Sequence, residues 1–139
     1  MNYLIKNATL VNEGETFEAS VLVSDGKIGK IIRKNDVPEL DDGPACEVID
    51  AKGKYLIPGV IDEHVHFREP GLTQKADIYT ESRAAVAGGV TSFMDMPNTV
   101  PQTTTQELLQ QKFDLAAEMS LANYSFYLGA TNDNLDEVK

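Results

Sequence analysis

Residues 57–71 read IPGVIDEHVHFREPG, and the interpretation of the whole chain depends on this segment. It holds both histidines of the sequence, His64 and His66, and Arg68 follows two residues later. Residues 60–67 form an apolar run of strand length, and a Pro-Gly pair on each side predicts a turn there. We therefore expect one short strand that carries the two imidazoles towards its carboxyl end.

Side chains alternate along a strand, so every second residue of this segment is expected on one face. That face carries Asp62, His64 and His66, and Arg68 joins it if the extended conformation continues. Two imidazoles two residues apart lie roughly 7 Å apart at the backbone and can converge on one ion at nitrogen distances of ~2.1 Å. This spacing suffices for half of a zinc site, because zinc takes about four ligands and the chain has no third histidine. The alternative is that both are ordinary hydrogen-bonded residues of a half-buried strand.

The first part of the chain is a series of short β-prone runs separated by turn residues. These runs are residues 3–5, 20–23, 28–32 and 46–49. The Asp-Gly pair at residues 25–26 predicts a hairpin between two of them. The polar stretch 35–44 has too little apolar content for a strand or helix and is expected to be a loop. Residues 1–57 are therefore expected to form a small unit built of strands.

In the rest of the chain, strand-length apolar runs alternate with helical patterns. Residues 90–96 and 124–128 are the second and third expected strands. A helix is expected from Asp77, its N-cap, to Ala87, with two glycines as its stop signal. Each strand-helix pair takes about 30 residues, which is typical of right-handed βαβ units and a parallel sheet. Residues 58–139 are therefore expected to have an α/β architecture.

A second helix is expected to start at a capping box formed by Thr104 and Glu107. Four apolar residues of this helix are expected on one face: Leu109, Phe113, Ala116 and Ala117. A third helix is expected to begin at Leu135, with its cap among residues 132–134. The sequence ends one turn into this helix, at Lys139, and the third strand would be an exposed edge. We therefore expect the chain to be the N-terminal portion of a longer protein.

Composition restricts the function and the cellular location. The chain has 22 acidic and 12 basic residues and a formal net charge of -10, which argues against nonspecific binding to nucleic-acid phosphates. Its single cysteine, Cys46, excludes an internal disulfide. No apolar run approaches the roughly 18 residues of a membrane span. At the N-terminus, no basic segment leads into an apolar stretch. We expect a cytoplasmic protein with no nucleic-acid or membrane partner.

Two segments together resemble the dihydroorotase family of the amidohydrolase superfamily: PGVIDEHVHFREPG at residues 58–71 and SRAAVAGGVTSFMDMPNT at residues 82–99. The His-x-His pattern alone indicates only the superfamily, whereas its combination with Arg-Glu-Pro-Gly and Pro-Asn-Thr is specific. The resemblance implies the N-terminal part of a TIM-like (β/α)8 barrel preceded by strands of a small β-sandwich. The sandwich portion would be residues 1–57, and the first βα units of the barrel would be residues 58–139.

By this resemblance, His64 and His66 are zinc ligands, and Arg68 and Asn98 bind the carboxylate of a small-molecule substrate. A guanidinium offers a rigid fork to a carboxylate, and an amide adds an orienting donor. The general acid/base aspartate of the family is expected beyond Lys139, so no catalytic residue is assigned in this sequence. The resemblance also implies one or two zinc ions and a homo-oligomer, a dimer, when the protein is full length.

Three acidic residues near these positions are expected to have structural roles. Asp62 is expected to accept hydrogen bonds from backbone or ring N–H groups, and Glu69 is expected to orient the loop that carries Arg68. Asp95 is not expected to be a metal ligand, because the family pattern has no ligand at that position.

The implied reaction is the interconversion of dihydroorotate and N-carbamoyl-L-aspartate in pyrimidine biosynthesis, and this sequence alone is expected not to catalyse it. Allantoinases and dihydropyrimidinases or hydantoinases share the fold and the His-x-His pattern. Their uncharged rings give no reason for a carboxylate-binding pair formed by Arg68 and Asn98. Two further hypotheses are a noncatalytic dihydroorotase-like scaffold protein and a β-rich binding module with an appended βα region.

Overall fold

The structure is a computed structural model that describes residues 2–34 and 46–139. The chain divides into two compact units after Pro58, one residue beyond the division expected from the sequence. The stretch 35–44, expected to be a loop, lies outside the described residues. No helix among the described residues is long and apolar enough to cross a membrane.

The described part of the first unit forms a five-stranded sheet. Its strands are β1 (Asn2–Asn12), β2 (Glu15–Ser24), β3 (Lys27–Arg33), β4 (Cys46–Asp50) and β5 (Tyr55–Leu56). The strand order is β3-β2-β1-β4, and β5 also pairs with β1. The pairs β1–β2 and β2–β3 are antiparallel, whereas β4 and β5 run parallel to β1. Leu10, Ala19 and Val21 form the buried centre of this unit.

Two tight turns connect the antiparallel strands. The hairpin expected at Asp25 and Gly26 is present, with φ values of 51° and 72°. A second hairpin, at Glu13 and Gly14 with φ values of 50° and 79°, is not predicted by the sequence. Glu-Gly is a weaker turn signal than Asp-Gly, and a register irregularity after Ile5 interrupts the alternation of β1. As a result, β1 and β2 are longer than their apolar runs suggest.

The described strands of the second unit form a parallel sheet in the order β6-β7-β8. The elements are β6 (Val60–Val65), α1 (Ile78–Ala87), β7 (Val90–Asp95), α2 (Gln106–Met119), β8 (Asn123–Phe126) and α3 (Leu135–Val138). This alternation confirms the expected α/β class. The closed barrel implied by the resemblance stays a prediction.

Helix α1 begins and ends where the sequence predicts. The carboxylate of Asp77 accepts hydrogen bonds from the backbone N–H of Thr80, at 2.7 Å, and from its hydroxyl, at 2.8 Å. These bonds hold the pKa of Asp77 below its ordinary value near 3.8. The cap therefore stabilises the folded state above the pKa of the unfolded chain, and this contribution is lost as the pH falls through the lowered folded-state pKa. Gly88 is the C-cap.

Helix α2 begins one residue later than the predicted capping box implies. Its N-cap is Thr105, whose hydroxyl accepts a hydrogen bond from the backbone N–H of Leu108 at 3.2 Å. Thr104, the predicted cap, instead offers its backbone carbonyl to the side-chain amide of Asn134 at 2.7 Å. Two adjacent threonines carry the same capping signal, and the contact with Asn134 is too distant in sequence to be inferred from the local pattern.

The apolar face of α2 also differs from the prediction at one position. Leu109, Phe113 and Ala116 pack into the core of the second unit as expected. Ala117, expected beside them, is exposed, whereas Lys112 is buried. Positions 109, 112, 113 and 116 have the i, i+3, i+4, i+7 spacing of a single helix face, and position 117 lies at its edge. A lysine therefore occupies a position that the helical period assigns to the core.

Candidate functional site

The loops that follow β6 and β7 meet at the carboxyl ends of these strands. The backbone N–H of Met96 donates to the carbonyl of Val65 at 3.0 Å, and that of Val100 donates to the carbonyl of Pro70 at 3.1 Å. Gly71 has a φ of 82°, and a Cβ at this position would lie 1.9 Å from the Val100 carbonyl oxygen. Only glycine fits there, because it has no side chain and tolerates this backbone conformation. Side chains carried by the two loops are consequently held near each other.

The two histidines lie at the carboxyl end of β6. Their ring centroids are 5.3 Å apart, with an angle of 67° between the ring planes. Two imidazoles that share one tetrahedral zinc have centroids about 5 Å apart, given a zinc–nitrogen distance of about 2.1 Å. Both side chains are exposed, so an ion could reach them. The separation of His64 and His66 thus suits a single zinc ion.

His66 is hydrogen-bonded to Asn98, which lies 32 residues further along the chain in the loop after β7. Its Nδ1 is 2.9 Å from the Oδ1 of the asparagine. An amide oxygen only accepts, so this bond places the ring proton on Nδ1 and leaves the lone pair of Nε2 for a metal. Histidines that bind zinc commonly donate their other ring N–H to an oxygen in this way. Two residues singled out in the sequence are therefore in direct contact.

Arg68 departs from the extended geometry on which its expected direction depends. Strand β6 ends at Val65, and Arg68 has a φ of 72°, which is uncommon for a residue other than glycine. Its carbonyl accepts a hydrogen bond from the backbone N–H of Leu72 at 3.1 Å, so the chain turns here. Strand alternation therefore does not set the direction of its side chain. Within residues 2–34 and 46–139, the guanidinium makes no ion pair or side-chain hydrogen bond.

The acidic residues beside these positions make local structural contacts. Asp62 accepts a hydrogen bond from the backbone N–H of His64 at 3.1 Å. Glu69 accepts one from the backbone N–H of Ile78 at 2.9 Å, at the first residue of α1. A carboxylate is favourable at a helix N-terminus, where backbone N–H groups lack partners within the helix. Glu69 thus ties the loop that carries Arg68 to helix α1.

Sequence reasoning missed Lys112, which forms a buried ion pair with Asp95. The lysine Nζ is 2.6 Å from Oδ2 of Asp95, and each side chain is 1% exposed. The other carboxylate oxygen accepts a hydrogen bond from the backbone N–H of Phe67 at 2.8 Å, and Nζ also donates to the carbonyl of Met96 at 3.2 Å. A lysine on the apolar face of α2 is the sequence feature that could have predicted this pair. Lysine and aspartate are rarely buried unless they are paired. Asp95 is therefore occupied by a cation of this chain.

The described residues do not form a complete metal site. Within residues 2–34 and 46–139, no group of three or more His, Cys, Asp or Glu side chains is placed to hold a metal ion. His64 and His66 would therefore supply two of the roughly four ligands that zinc takes.

The sequence relatives of this chain are named as more than one kind of enzyme. A dihydroorotase of Methanosarcina mazei is 40% identical over 135 residues, which are 97% of this chain and 28% of that protein. An allantoinase of Desulfitobacterium hafniense is 38% identical over 136 residues, which are 97% of this chain and 29% of that protein. The chain thus spans less than a third of the length of these relatives.

Solved structures and a family model agree with these similarities. The L-hydantoinase (dihydropyrimidinase) of Arthrobacter aurescens superposes with a TM-score of 0.87 at 34% identity, covering 98% of this chain and 29% of that one. Residues 53–136 match the family described as dihydro-orotase-like, and this match includes both histidines, Arg68 and Asn98. Since it covers more than half of the sequence, the chain belongs to the dihydro-orotase-like family.

Proposed function

We propose that the complete gene product is a zinc-dependent cyclic amidohydrolase, a dihydroorotase that interconverts dihydroorotate and N-carbamoyl-L-aspartate. The relatives named dihydroorotase, allantoinase and L-hydantoinase support a hydrolase of cyclic amides. The narrower assignment depends on one observation. The contact between His66 and Asn98 brings a proposed metal ligand and a proposed carboxylate-binding residue together at one end of the sheet, with Arg68 two residues from the histidine.

In this proposal His64 and His66 would hold zinc, which would supply an activated water and polarise the ring carbonyl group. The centroid separation of 5.3 Å and the bond from Nδ1 of His66 to Asn98 support this role. We further propose that β6, β7 and β8 are the first strands of a TIM-like barrel, in which active sites lie at the carboxyl ends of the strands. The remaining ligands and the general acid/base would come from further strands.

Asn98 and Arg68 would bind the substrate carboxylate. The Oδ1 atom of Asn98 is used by His66, and the Nδ2 group of the same amide has two N–H donors that can face an anion. The Arg68 guanidinium presents a planar fork of donors to a carboxylate. Residues held at positive φ occur often at ligand-binding and active sites, where the local backbone strain of about 1–3 kcal/mol is offset by surrounding contacts. The φ of 72° at Arg68 fits this pattern.

Substrate preference and the Arg68→Lys variant test the proposal. Dihydroorotate, allantoin and hydantoin are assayed in parallel with the zinc-loaded complete gene product. We expect dihydroorotate to be preferred. Arg68→Lys should raise KM for dihydroorotate by about 10–100-fold, because lysine lacks the planar fork of guanidinium donors. Lysine keeps the positive charge and has a comparable backbone preference, so only the fork is lost. Turnover of hydantoin, which has no carboxylate, should change little.

Arg33→Lys is the matched control, since Arg33 is an exposed arginine of the first unit and lies outside the site. It should leave all three activities unchanged. A preference for allantoin or hydantoin, combined with an unchanged KM in Arg68→Lys, would contradict the dihydroorotase assignment.

An allantoinase or hydantoinase is the second candidate, because the allantoinase of D. hafniense and the L-hydantoinase of A. aurescens are both similar to this chain. Such an enzyme would act on an uncharged ring, and Arg68 would then have no carboxylate to bind. The same three-substrate assay separates the two candidates. Absence of turnover with all three substrates would favour a noncatalytic scaffold protein.

A further inference from the structure

The ion pair between Asp95 and Lys112 is enclosed in the core of the second unit, where neither charge contacts solvent. Burying two charges removes their hydration, and apolar residues of similar size often give an equal or more stable protein. Stability of the fold is thus a weak explanation for the pair. Its position directly beneath the two site loops indicates another role.

Asp95 is hydrogen-bonded to the backbone between two proposed site residues. One carboxylate oxygen is 2.6 Å from Nζ of Lys112, and the other accepts the backbone N–H of Phe67 at 2.8 Å. Phe67 lies between His66 and Arg68 in the sequence, and its ring packs 4.3 Å from that of Phe93, centroid to centroid. The hydrogen bond and the ring contact together fix the point at which the chain leaves β6.

Lys112 makes the corresponding contact with the loop after β7. Its Nζ donates to the backbone carbonyl of Met96 at 3.2 Å, and it lies 4.8 Å from the centroid of the Phe126 ring. Met96 is two residues before Asn98. One buried pair therefore contacts the backbone of both loops, next to the residues that form the His66–Asn98 hydrogen bond.

We propose that Asp95 is a positioning residue, which sets the distance between His66 and Asn98 through the backbone of Phe67, and that Lys112 neutralises its buried charge. Their effect on zinc and substrate rests on the proposed function. Their effect on the contact between the imidazole and the amide is independent of it, and it can be measured without turnover.

Two double variants of the complete gene product separate positioning from stability. Asp95→Leu with Lys112→Met removes both charges and also the acceptor for the Phe67 N–H. Asp95→Asn with Lys112→Met removes both charges but keeps an amide oxygen as that acceptor. If the pair only stabilises the fold, the two variants should behave alike. If Asp95 positions the chain through the Phe67 N–H, only the leucine variant should disturb the site.

The readouts are the 15N signals of the His66 ring in metal-free protein, the zinc affinity measured by chelator competition, and KM for dihydroorotate. In the leucine variant we expect loss of the signature of a protonated Nδ1 and zinc affinity about 10–100-fold weaker, as is typical when a group that orients a metal ligand is removed. KM should rise with it. In the asparagine variant, the ring signals and the zinc affinity should stay within about 3-fold of wild type. Glu18→Leu with Lys34→Met, which removes an exposed ion pair of the first unit, is the control.

The inference is overturned if the leucine variant folds and keeps the His66 signals and wild-type zinc affinity. If the leucine variant does not fold, the asparagine variant decides, since a 10-fold loss of zinc affinity there would contradict the role of the Phe67 acceptor. A wild-type protein that opens none of the cyclic amides refutes the proposed function alone. The His66 signals would still decide whether the pair positions this contact.

Discussion

In the proposed function, Asn98 takes part in both metal binding and substrate binding. Its amide oxygen is 2.9 Å from Nδ1 of His66, so the side chain orients a proposed zinc ligand. Its amide nitrogen carries the donors that would bind a substrate carboxylate. An asparagine supplies both functions at one position because the two ends of its amide have opposite hydrogen-bonding character.

Substitution of Asn98 by aspartate should separate these two functions. Asn98→Asp keeps an acceptor for the His66 N–H, so zinc binding should be retained. It replaces the donor by a negative charge, so KM for dihydroorotate should rise by about 10–100-fold, the usual cost of losing a hydrogen bond to a charged group. Asn98→Ala should weaken zinc binding and raise KM together.

Chelator competition and steady-state kinetics on the complete gene product measure the two effects. Gln111→Glu, the same amide-to-carboxylate change at an exposed position of α2, is the control. Equal loss of zinc affinity in Asn98→Asp and Asn98→Ala would show that the amide oxygen does not orient His66.

Single helices show how far local chemistry determines where an element begins. The Asp77 cap of α1 is unique in its neighbourhood, and the sequence locates it correctly. The choice between Thr104 and Thr105 at the start of α2 is made by contacts from the segment after β8. There the side-chain amide of Asn134 donates a hydrogen bond to the backbone carbonyl of Thr104. The Glu137 carboxylate accepts one from the backbone N–H of Gln106 at 2.9 Å.

The two threonines therefore make an internal comparison for α2. Thr105→Ala removes the acceptor for the Leu108 N–H and should lower the free energy of unfolding by about 1 kcal/mol. Thr104→Ala leaves the backbone carbonyl that Asn134 uses and should change stability by less than about 0.5 kcal/mol. Urea unfolding gives the total effect, and hydrogen exchange at the Leu108 amide reports the first turn directly. Equal losses in the two variants would contradict Thr105 as the cap.

At the scale of the molecule, each unit contains its own buried cluster, and the four proposed site residues belong to the second unit. All four proposed site residues come from β6 and from the loops that follow β6 and β7. Because the strands are parallel, these loops lie at the same end of the sheet, and residues distant in sequence become neighbours. In the proposed function, this arrangement would supply two metal ligands and two substrate contacts, which is only part of what ring hydrolysis needs.

A polypeptide of residues 1–139 is therefore expected to give no turnover of dihydroorotate, even with added zinc. Its described residues hold no group of three or more side chains placed to bind a metal, and zinc in a catalytic site uses about three protein ligands. A ring-opening assay compares this polypeptide with any longer product of the gene under the same conditions. Metal-dependent turnover by residues 1–139 alone would show that two histidines suffice.

Features that depend on local patterns can be predicted from the amino-acid sequence alone. The apolar run and turns around His64 and His66 predict the strand, and the alternation of strand and helix patterns predicts a parallel sheet. The contact of Asn98 with His66 and the ion pair of Lys112 with Asp95 are visible only in the folded chain, since these pairs are 32 and 17 residues apart. This difference arises because the alternation of side chains along a strand and the period of a helix fix side-chain directions within one element only. Contacts between elements depend on how the elements pack.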